Sequence, residues 1–290
     1  MAQTDLTGRS ILVTGATSGI GYAAARDLAR MGAAVTLAGR DPARVNASVD
    51  QIRRETGVTA VDGLVADLSS MAGVRELASA YLASHDRLDV LLNNAGAWFT
   101  TRQTTVDGYE RTFALNHLAP FLLTHLLLDQ LKASGPARII TVASMAHNGQ
   151  RINLDDVNNA RPPYQGLRVY GESKLANIMF TYALARRLSG TGVTANTLHP
   201  GLVSTGFGKN NGASMRWMMA LYALIAISPE QGARTSVYLA SSPDVADVTG
   251  KYFIKEKPVR SSPASYDEQA QERLWAISER MTGIVPAALR

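Results

Sequence analysis

"TGATSGIG", residues 14–21, follows the β-branched run "SILVTG" (10–15) and opens a helical pattern running from about Ile20 to Met31. Three glycines between a strand and a helix have distinct uses. Gly15 permits a tight turn, Gly19 lets the backbone approach a bound pyrophosphate, and Gly21 allows close packing of the helix. The helix start offers free N–H groups and a positive dipole end, which suit a phosphate. The spacing is G-x-x-x-G-x-G, not the G-x-G-x-x-G of the general dinucleotide fingerprint, and a glycine-rich turn alone can be only a turn. Its meaning depends on what surrounds it.

Outward from this turn, short β-branched runs alternate with helical patterns. The further strand candidates are "AAVTLAG" (33–39), "VTAVDGLVAD" (58–67), "LDVLLNN" (88–94), "ARIITVAS" (137–144), "VTANTLHP" (193–200) and "GKYFI" (250–254). Helical patterns fall between them, among them 73–85, 109–134 and 170–190. The alternation predicts an α/β fold, a Rossmann-type doubly wound parallel seven-stranded sheet with helices on both faces. No repeat, low-complexity tract or linker interrupts it, so residues 1–290 read as one domain.

Composition narrows the function classes. With no cysteine among 290 residues, a disulfide framework, a thiolate zinc site and a thiol nucleophile are excluded. The net charge of +5 comes from scattered Lys and Arg, which fits weak attraction for anionic small molecules and not a nucleic-acid footprint. "MAQTDLTGRS" carries an acid and no apolar run, so no export signal is expected and a cytoplasmic location is. The most apolar stretch, "WMMALYALIAI" (217–227), is shorter than the roughly 18–20 residues a membrane span needs; a buried helix or a lid is expected, and peripheral membrane contact is not favoured.

A parallel sheet binds its ligands beyond the carboxyl ends of its strands, so the chemically suggestive residues should collect there. "NNAG" (93–96) ends the fourth strand, where it can line a groove or simply make a turn. "TVAS" (141–144) ends the fifth at Ser144, a hydroxyl suited to a developing oxyanion or to capping a turn. "YGESK" (170–174) sets Tyr170 and Lys174 one helical turn apart, on one face. An ammonium beside a phenol favours the ionised form, although such a pair can also be an exposed helical contact. "HPG" (199–201) ends the sixth strand.

With Asn116 added, these motifs in this order resemble the short-chain dehydrogenase/reductase family over residues 8–255, and the helices after Asn116 and Tyr170 resemble its retinol dehydrogenase-like and WW-domain oxidoreductase-like branch. The resemblance implies NADP-linked carbonyl and alcohol chemistry on a small apolar molecule; no metal is expected, because no His/Asp/Glu cluster has metal spacing. It implies Tyr170 as general acid and base, its pKa lowered by Lys174 and the oxidised nicotinamide. Ser144 would orient the carbonyl, and Asn116 would anchor a water that passes protons through Lys174. Implied cofactor contacts are Gly15, Thr17, Ser18, Gly19, Ile20 and Gly21 in the first turn, Arg40 after the second strand, and Asp67 and Leu68 after the third. Asn94, Ala95 and Gly96 follow the fourth strand, Tyr170 is a contact beside Lys174, which would hold the nicotinamide ribose, and Pro200, Gly201, Val203 and Thr205 follow the sixth strand, Thr205 at the nicotinamide amide.

Two features qualify the match. Ser144 and Tyr170 stand 26 residues apart where the family commonly has about a dozen; the turn-rich insertion 147–166, shared by the retinol dehydrogenase-like branch, accounts for the excess. In "AGRD" (38–41), Gly39 occupies the place of the acid that NAD enzymes carry and Arg40 follows, which favours NADP(H) over NAD(H); Asp41 either turns inward or caps the next helix. His147 reads as a surface residue of the insertion or a substrate contact, and His117 and His125 as packed histidines. Trp98 and residues 215–227 read as pocket wall or core, within a substrate-covering segment placed at 206–228. The closing helix and tail, 264–290, could pack on the body or on a second subunit, so a homo-oligomer is open. Three other functions compete: a nucleotide-binding sensor without catalysis, a nucleotide-sugar epimerase, and a reductase of carbon–carbon double bonds.

Overall fold

The computed structural model describes residues 4–203 and 227–284. β1 (Ser10–Thr14) stands inside a single sheet, with β2 (Ala34–Gly39) and β3 (Val61–Val65) to one side. To the other lie β4 (Val90–Asn93), β5 (Ala137–Val142), β6 (Val193–His199) and β7 (Tyr252–Ile254). All seven pair in parallel, as expected, with ends shorter than the sequence runs suggested. An eighth strand, β8 (Lys257–Val259), adds an antiparallel hairpin to β7. Three residues containing Pro258 show no alternation to read, and proline is tolerated there because β8 is an edge strand.

α1 (Gly19–Arg30), α2 (Pro42–Thr56) and α8 (Pro229–Ser241) cover one face of the sheet; α3 (Met71–Ser84) and α7 (Gly166–Arg187) cover the other. Neighbouring residues of one strand serve opposite cores: Ile11 and Val13 belong to the core on the α1 side, and Leu12 to the core on the side of α3 and α7, because strand side chains alternate. The helix expected over 109–134 is broken. α4 (Arg111–Phe113) runs into a π-helical turn (Ala114–Leu118), then α5 (Ala119–Leu126) and α6 (Leu128–Ala133).

α9 (Glu268–Thr282) lays its stripe of Leu274, Trp275 and Ile277 on the body of the molecule, with Trp275 against Phe121 and Phe180. His117 and His125 are packed there as expected. His117 Nε2 lies 2.8 Å from Ser278 Oγ, and His125 Nδ1 lies 2.7 Å from the Phe121 carbonyl. Strand order reverses between β1 and β4, so the crevice at their carboxyl ends is where this architecture places a ligand. "TGATSGIG" and "NNAG" both open onto it.

Candidate active site

The first turn is built by backbone that only glycine adopts easily: Gly15 has φ 66° and Gly19 φ 57°. A Cβ on Gly15 would stand 2.8 Å from Ala95 Cα, and one on Gly21 would run into Asn94 Nδ2. The two strand ends therefore touch through their smallest residues. Asn94 fastens them: its Nδ2 donates to the carbonyls of Thr14 (2.8 Å) and Gly15 (3.3 Å), while the N–H groups of Asn94 and Ala95 donate to Thr14 Oγ1. Ser18 precedes α1 without capping it through its side chain, which leaves the first N–H groups of that helix for an anion. A Cβ on Gly232 would meet both Val203 (2.6 Å) and Ile20 (3.2 Å), so the segment after Pro200 and Gly201 lies against the first turn. Thr205 and residues 206–226 lie outside the described residues.

Behind this turn sit the polar residues. Tyr170 and Lys174 share a face of α7, with Lys174 Nζ 5.7 Å from the phenol ring centroid and donating to the Val142 carbonyl at 2.9 Å. A Cβ on Gly96 would stand 3.2 Å from both Lys174 Nζ and Asn116 Oδ1, so the small residue keeps this space clear. The glycine-lined groove fits a nicotinamide dinucleotide, with Lys174 at its inner end.

The expected lowering of the Tyr170 pKa is not what the protein's own groups produce. Burial pushes the phenol up to about 12, opposed by a hydrogen bond with Ser144. Burial also brings Lys174 down to about 8, and its ammonium is directed at Val142.

Asn116 lies in the π turn, fully buried, and both ends of its amide are held. Nδ2 donates to the Ala97 carbonyl (3.0 Å) and to Ser173 Oγ (2.9 Å), and Oδ1 accepts from Ala97 N (2.9 Å). Ser173 Oγ donates onward to the Tyr170 carbonyl at 2.7 Å. The loop after β4, the π turn and α7 thus share one polar joint.

Ser144 caps a short 3-10 turn (Met145–His147), its Oγ accepting from Ala146 N at 3.2 Å. The insertion 147–166 is pinned by buried carboxylates that sequence reading missed. Glu172 accepts from Arg168 (2.7 Å) and Asn159 (3.4 Å), and Glu110 accepts from Tyr164 Oη (3.0 Å). Glu172 lies two residues past Tyr170, hence on the opposite side of the helix, which is the signal that could have found it. His147 corrects an expectation. It is 1 % exposed, not a surface residue, because Ser262 from the distant end of the chain closes over it. Trp98 is buried, and a Cβ on Gly166 would approach its Nε1 to 2.9 Å, which places it against the start of α7.

At the outer end, a Cβ on Gly39 would meet Thr17 Cγ2 at 2.6 Å and Val45 Cγ2 at 2.9 Å, so a side chain at that position would have to displace both. Asp41 is the cap of α2, its Oδ1 accepting from Ala43 N (2.9 Å) and Arg44 N (3.2 Å). Arg40 is exposed, and Arg44, unremarked in the sequence, donates from Nη2 to the Thr17 carbonyl at 3.4 Å. Asp67 Oδ1 accepts from Ser69 N and Oγ, and Leu68 is buried beside it. Among the described residues no group of His, Asp and Glu could hold a metal ion, and no helix is long and apolar enough to cross a membrane.

The family model for short chain dehydrogenases matches residues 9–216. This chain is a short-chain dehydrogenase/reductase. Within the family the dehydrogenase belongs to the retinol dehydrogenase-like branch: it is 41% identical over 294 residues to retinol dehydrogenase 13 of Homo sapiens, covering 100% of this chain and 89% of that protein. Among solved structures it is similar to an uncharacterised protein from Mycobacterium paratuberculosis, at 33% identity and TM-score 0.80, covering 97% of this chain and 96% of that one. It is also similar to the Pseudomonas aeruginosa RhlG/NADP active-site complex, at 28% identity and TM-score 0.69, covering 87% of this chain and 97% of that one. The dehydrogenase is accordingly an oxidoreductase of alcohols or carbonyls.

Proposed function

We propose that this dehydrogenase uses NADP(H) to interconvert a carbonyl and an alcohol on an apolar small molecule, with Tyr170 as general acid and base. The observation that carries the reading is the hydrogen bond between Ser144 and Tyr170 at the carboxyl edge of the sheet, with Lys174 on the same face of α7. When bound, the nicotinamide supplies the hydride. Ser144 and Tyr170 then hold the substrate oxygen between two hydroxyls, and Tyr170 gives or takes the proton. A phenol near 12 is a poor base on its own, so the reading requires the positive charges of the site to draw it down in the working complex.

NADP(H) is favoured over NAD(H) by three features at the outer end: glycine, with no carboxylate, at position 39, the exposed guanidinium of Arg40, and Arg44 beside Thr17. A guanidinium pairs with a 2′-phosphate, and a free 2′-hydroxyl lacks its usual carboxylate here. The apolar substrate is supported by exposed Met145, Leu167 and Leu202, each within three residues of Ser144, Tyr170 or the "HPG" turn. Retinol, in the relative's name, is an alcohol of that character.

The test is a panel of aldehydes, ketones and alcohols assayed by nicotinamide absorbance with each cofactor, for wild type and Tyr170→Phe. NADPH-linked turnover of apolar aldehydes, reduced roughly 100- to 10,000-fold in the variant, is expected. A variant with near wild-type turnover, or wild-type preference for NADH, would defeat the corresponding part of the reading.

A further inference from the structure

We propose that His147 is a positioning residue that sets Ser144, and that the segment Ser261–Tyr266 holds it in place from the far end of the chain. The proposal rests on Ser144 contacting the substrate oxygen. The ring of His147 is buried, and both of its nitrogens are engaged. Ser262 N lies 3.1 Å from Nε2, and a backbone N–H can only donate, so Nε2 accepts. The proton of the neutral ring therefore sits on Nδ1, which lies 2.6 Å from the carbonyl oxygen of Ser144. One tautomer satisfies both contacts. The ring edge packs on Tyr252, with centroids 5.1 Å apart, and no face is left for substrate.

The other end of this contact is anchored to the helix that carries Tyr170. Ser261 Oγ lies 2.7 Å from Tyr182 Oη on α7 and 2.6 Å from Ser265 Oγ, and Ser265 Oγ donates to the Ser262 carbonyl at 2.6 Å. Gln271 of α9 donates to the Ser265 carbonyl at 2.7 Å. Ser144 and Tyr170 are thereby joined twice: directly, and through His147, Ser262, Ser261 and Tyr182. His199 steadies the same turn by accepting from Met145 N at 3.3 Å. The closed circuit fixes where the Ser144 carbonyl points, and with Ala146 N occupying one side of Oγ it holds the hydroxyl beside Tyr170, where both can reach one substrate oxygen. A misplacement of about 1 Å at a reacting group can cost on the order of 100-fold in rate.

The decisive variants separate the two nitrogens. In His147→Asn the amide N–H stands where Nδ1–H stood; in His147→Gln the amide reaches towards Ser262 and does not serve Ser144. His147→Gln is expected to lose about 10- to 100-fold in kcat, with NADPH affinity by fluorescence titration unchanged, and His147→Asn to recover most of the loss. Equal kcat for the two variants, or no loss in either, overturns the proposal. If neither folds, Ser262→Pro decides. Its φ of −61° accepts proline, which replaces the N–H facing Nε2 with a ring carbon and so breaks the contact, and Ser262→Ala keeps that N–H as control for the lost hydroxyl. Lower kcat in Ser262→Pro than in Ser262→Ala is expected, and equality overturns the proposal. Tyr170→Phe runs alongside: if it retains turnover, the reading of the Ser144–Tyr170 pair itself has failed; if it is inactive while the His147 and Ser262 variants are unimpaired, only the positioning role has.

Discussion

The ammonium of Lys174 donates to the carbonyl oxygen of Val142, the last residue of β5, at 2.9 Å. Two residues further on stands Ser144. The contact ties the helix that carries Tyr170 to the strand that delivers Ser144, and it fills the inner end of the groove with a buried cation whose pKa has fallen to about 8.

Lys174→Met should therefore separate stability from activity. The folded pKa lies below the usual 10.5, so between about pH 8 and 10.5 the unfolded chain holds more protons than the native one, and wild-type stability rises with pH across that window. At neutral pH the buried charge costs roughly 3 kcal/mol, and losing the bond to Val142 costs about 1–3 kcal/mol, so the two nearly cancel. The variant should melt within about 4 °C of wild type at pH 7 while losing at least about 100-fold in turnover. A collapse of the melting temperature would show that Lys174 is chiefly structural.

Much of this site is legible in the amino-acid sequence. The glycine turn, the seven parallel strands and the Tyr170–Lys174 face follow from local patterns: positive-φ glycines, β-branched runs and helical spacing. The π turn at Asn116 does not. "ALNHL" reads as ordinary helix, and in the fold it is held to Ala97 and Ser173, partners outside its own segment. The burial of His147 was equally hidden, because the residue that covers it, Ser262, is 115 positions away. Long-range closure leaves no periodicity in sequence. Asp41 went the other way: its capping role was legible in "DPARV", since Asp before Pro at a helix start is a local rule.

Cofactor choice can be tested at the outer end of the groove. Arg40→Ala should weaken NADPH binding by about 10- to 150-fold and leave NADH binding nearly unchanged, because only the former offers a phosphate to the guanidinium. Arg44→Ala should act in the same direction but less, since its guanidinium also serves the Thr17 carbonyl. Titration of intrinsic fluorescence with each nucleotide measures both. Equal losses for the two nucleotides would return Arg40 to a supporting role.

Acid should loosen the joint between the π turn and α9. His117 is fully buried and neutral, its pKa brought to about 4 by burial. With the folded value below the unfolded 6.5, its contribution is complete above pH 6.5 and is lost as pH falls towards about 4, to a limit on the order of 3 kcal/mol. Thermal melts from pH 7 to 4 should fall more steeply for wild type than for His117→Leu, which has nothing to protonate. Parallel curves would mean that other groups govern acid unfolding.

Substrate preference can be tested through three exposed apolar side chains near Ser144 and Tyr170. Met145 is 53 % exposed beside Ser144, Leu167 is 64 % exposed one helical turn before Tyr170, and Leu202 is 48 % exposed after the "HPG" turn. Large apolar side chains left to water at a catalytic mouth gain by covering, and each substrate methylene buried against them contributes about 0.8 kcal/mol. Straight-chain aldehydes should then gain about three- to fourfold in kcat/KM per added carbon until the pocket is full. Leu167→Ser should flatten that series without changing NADPH affinity, since Leu167 is exposed two helical turns before Lys174 on α7. A flat or falling series in the wild type, or a preference for a carboxylated ketone, would remove the apolar wall from the reading.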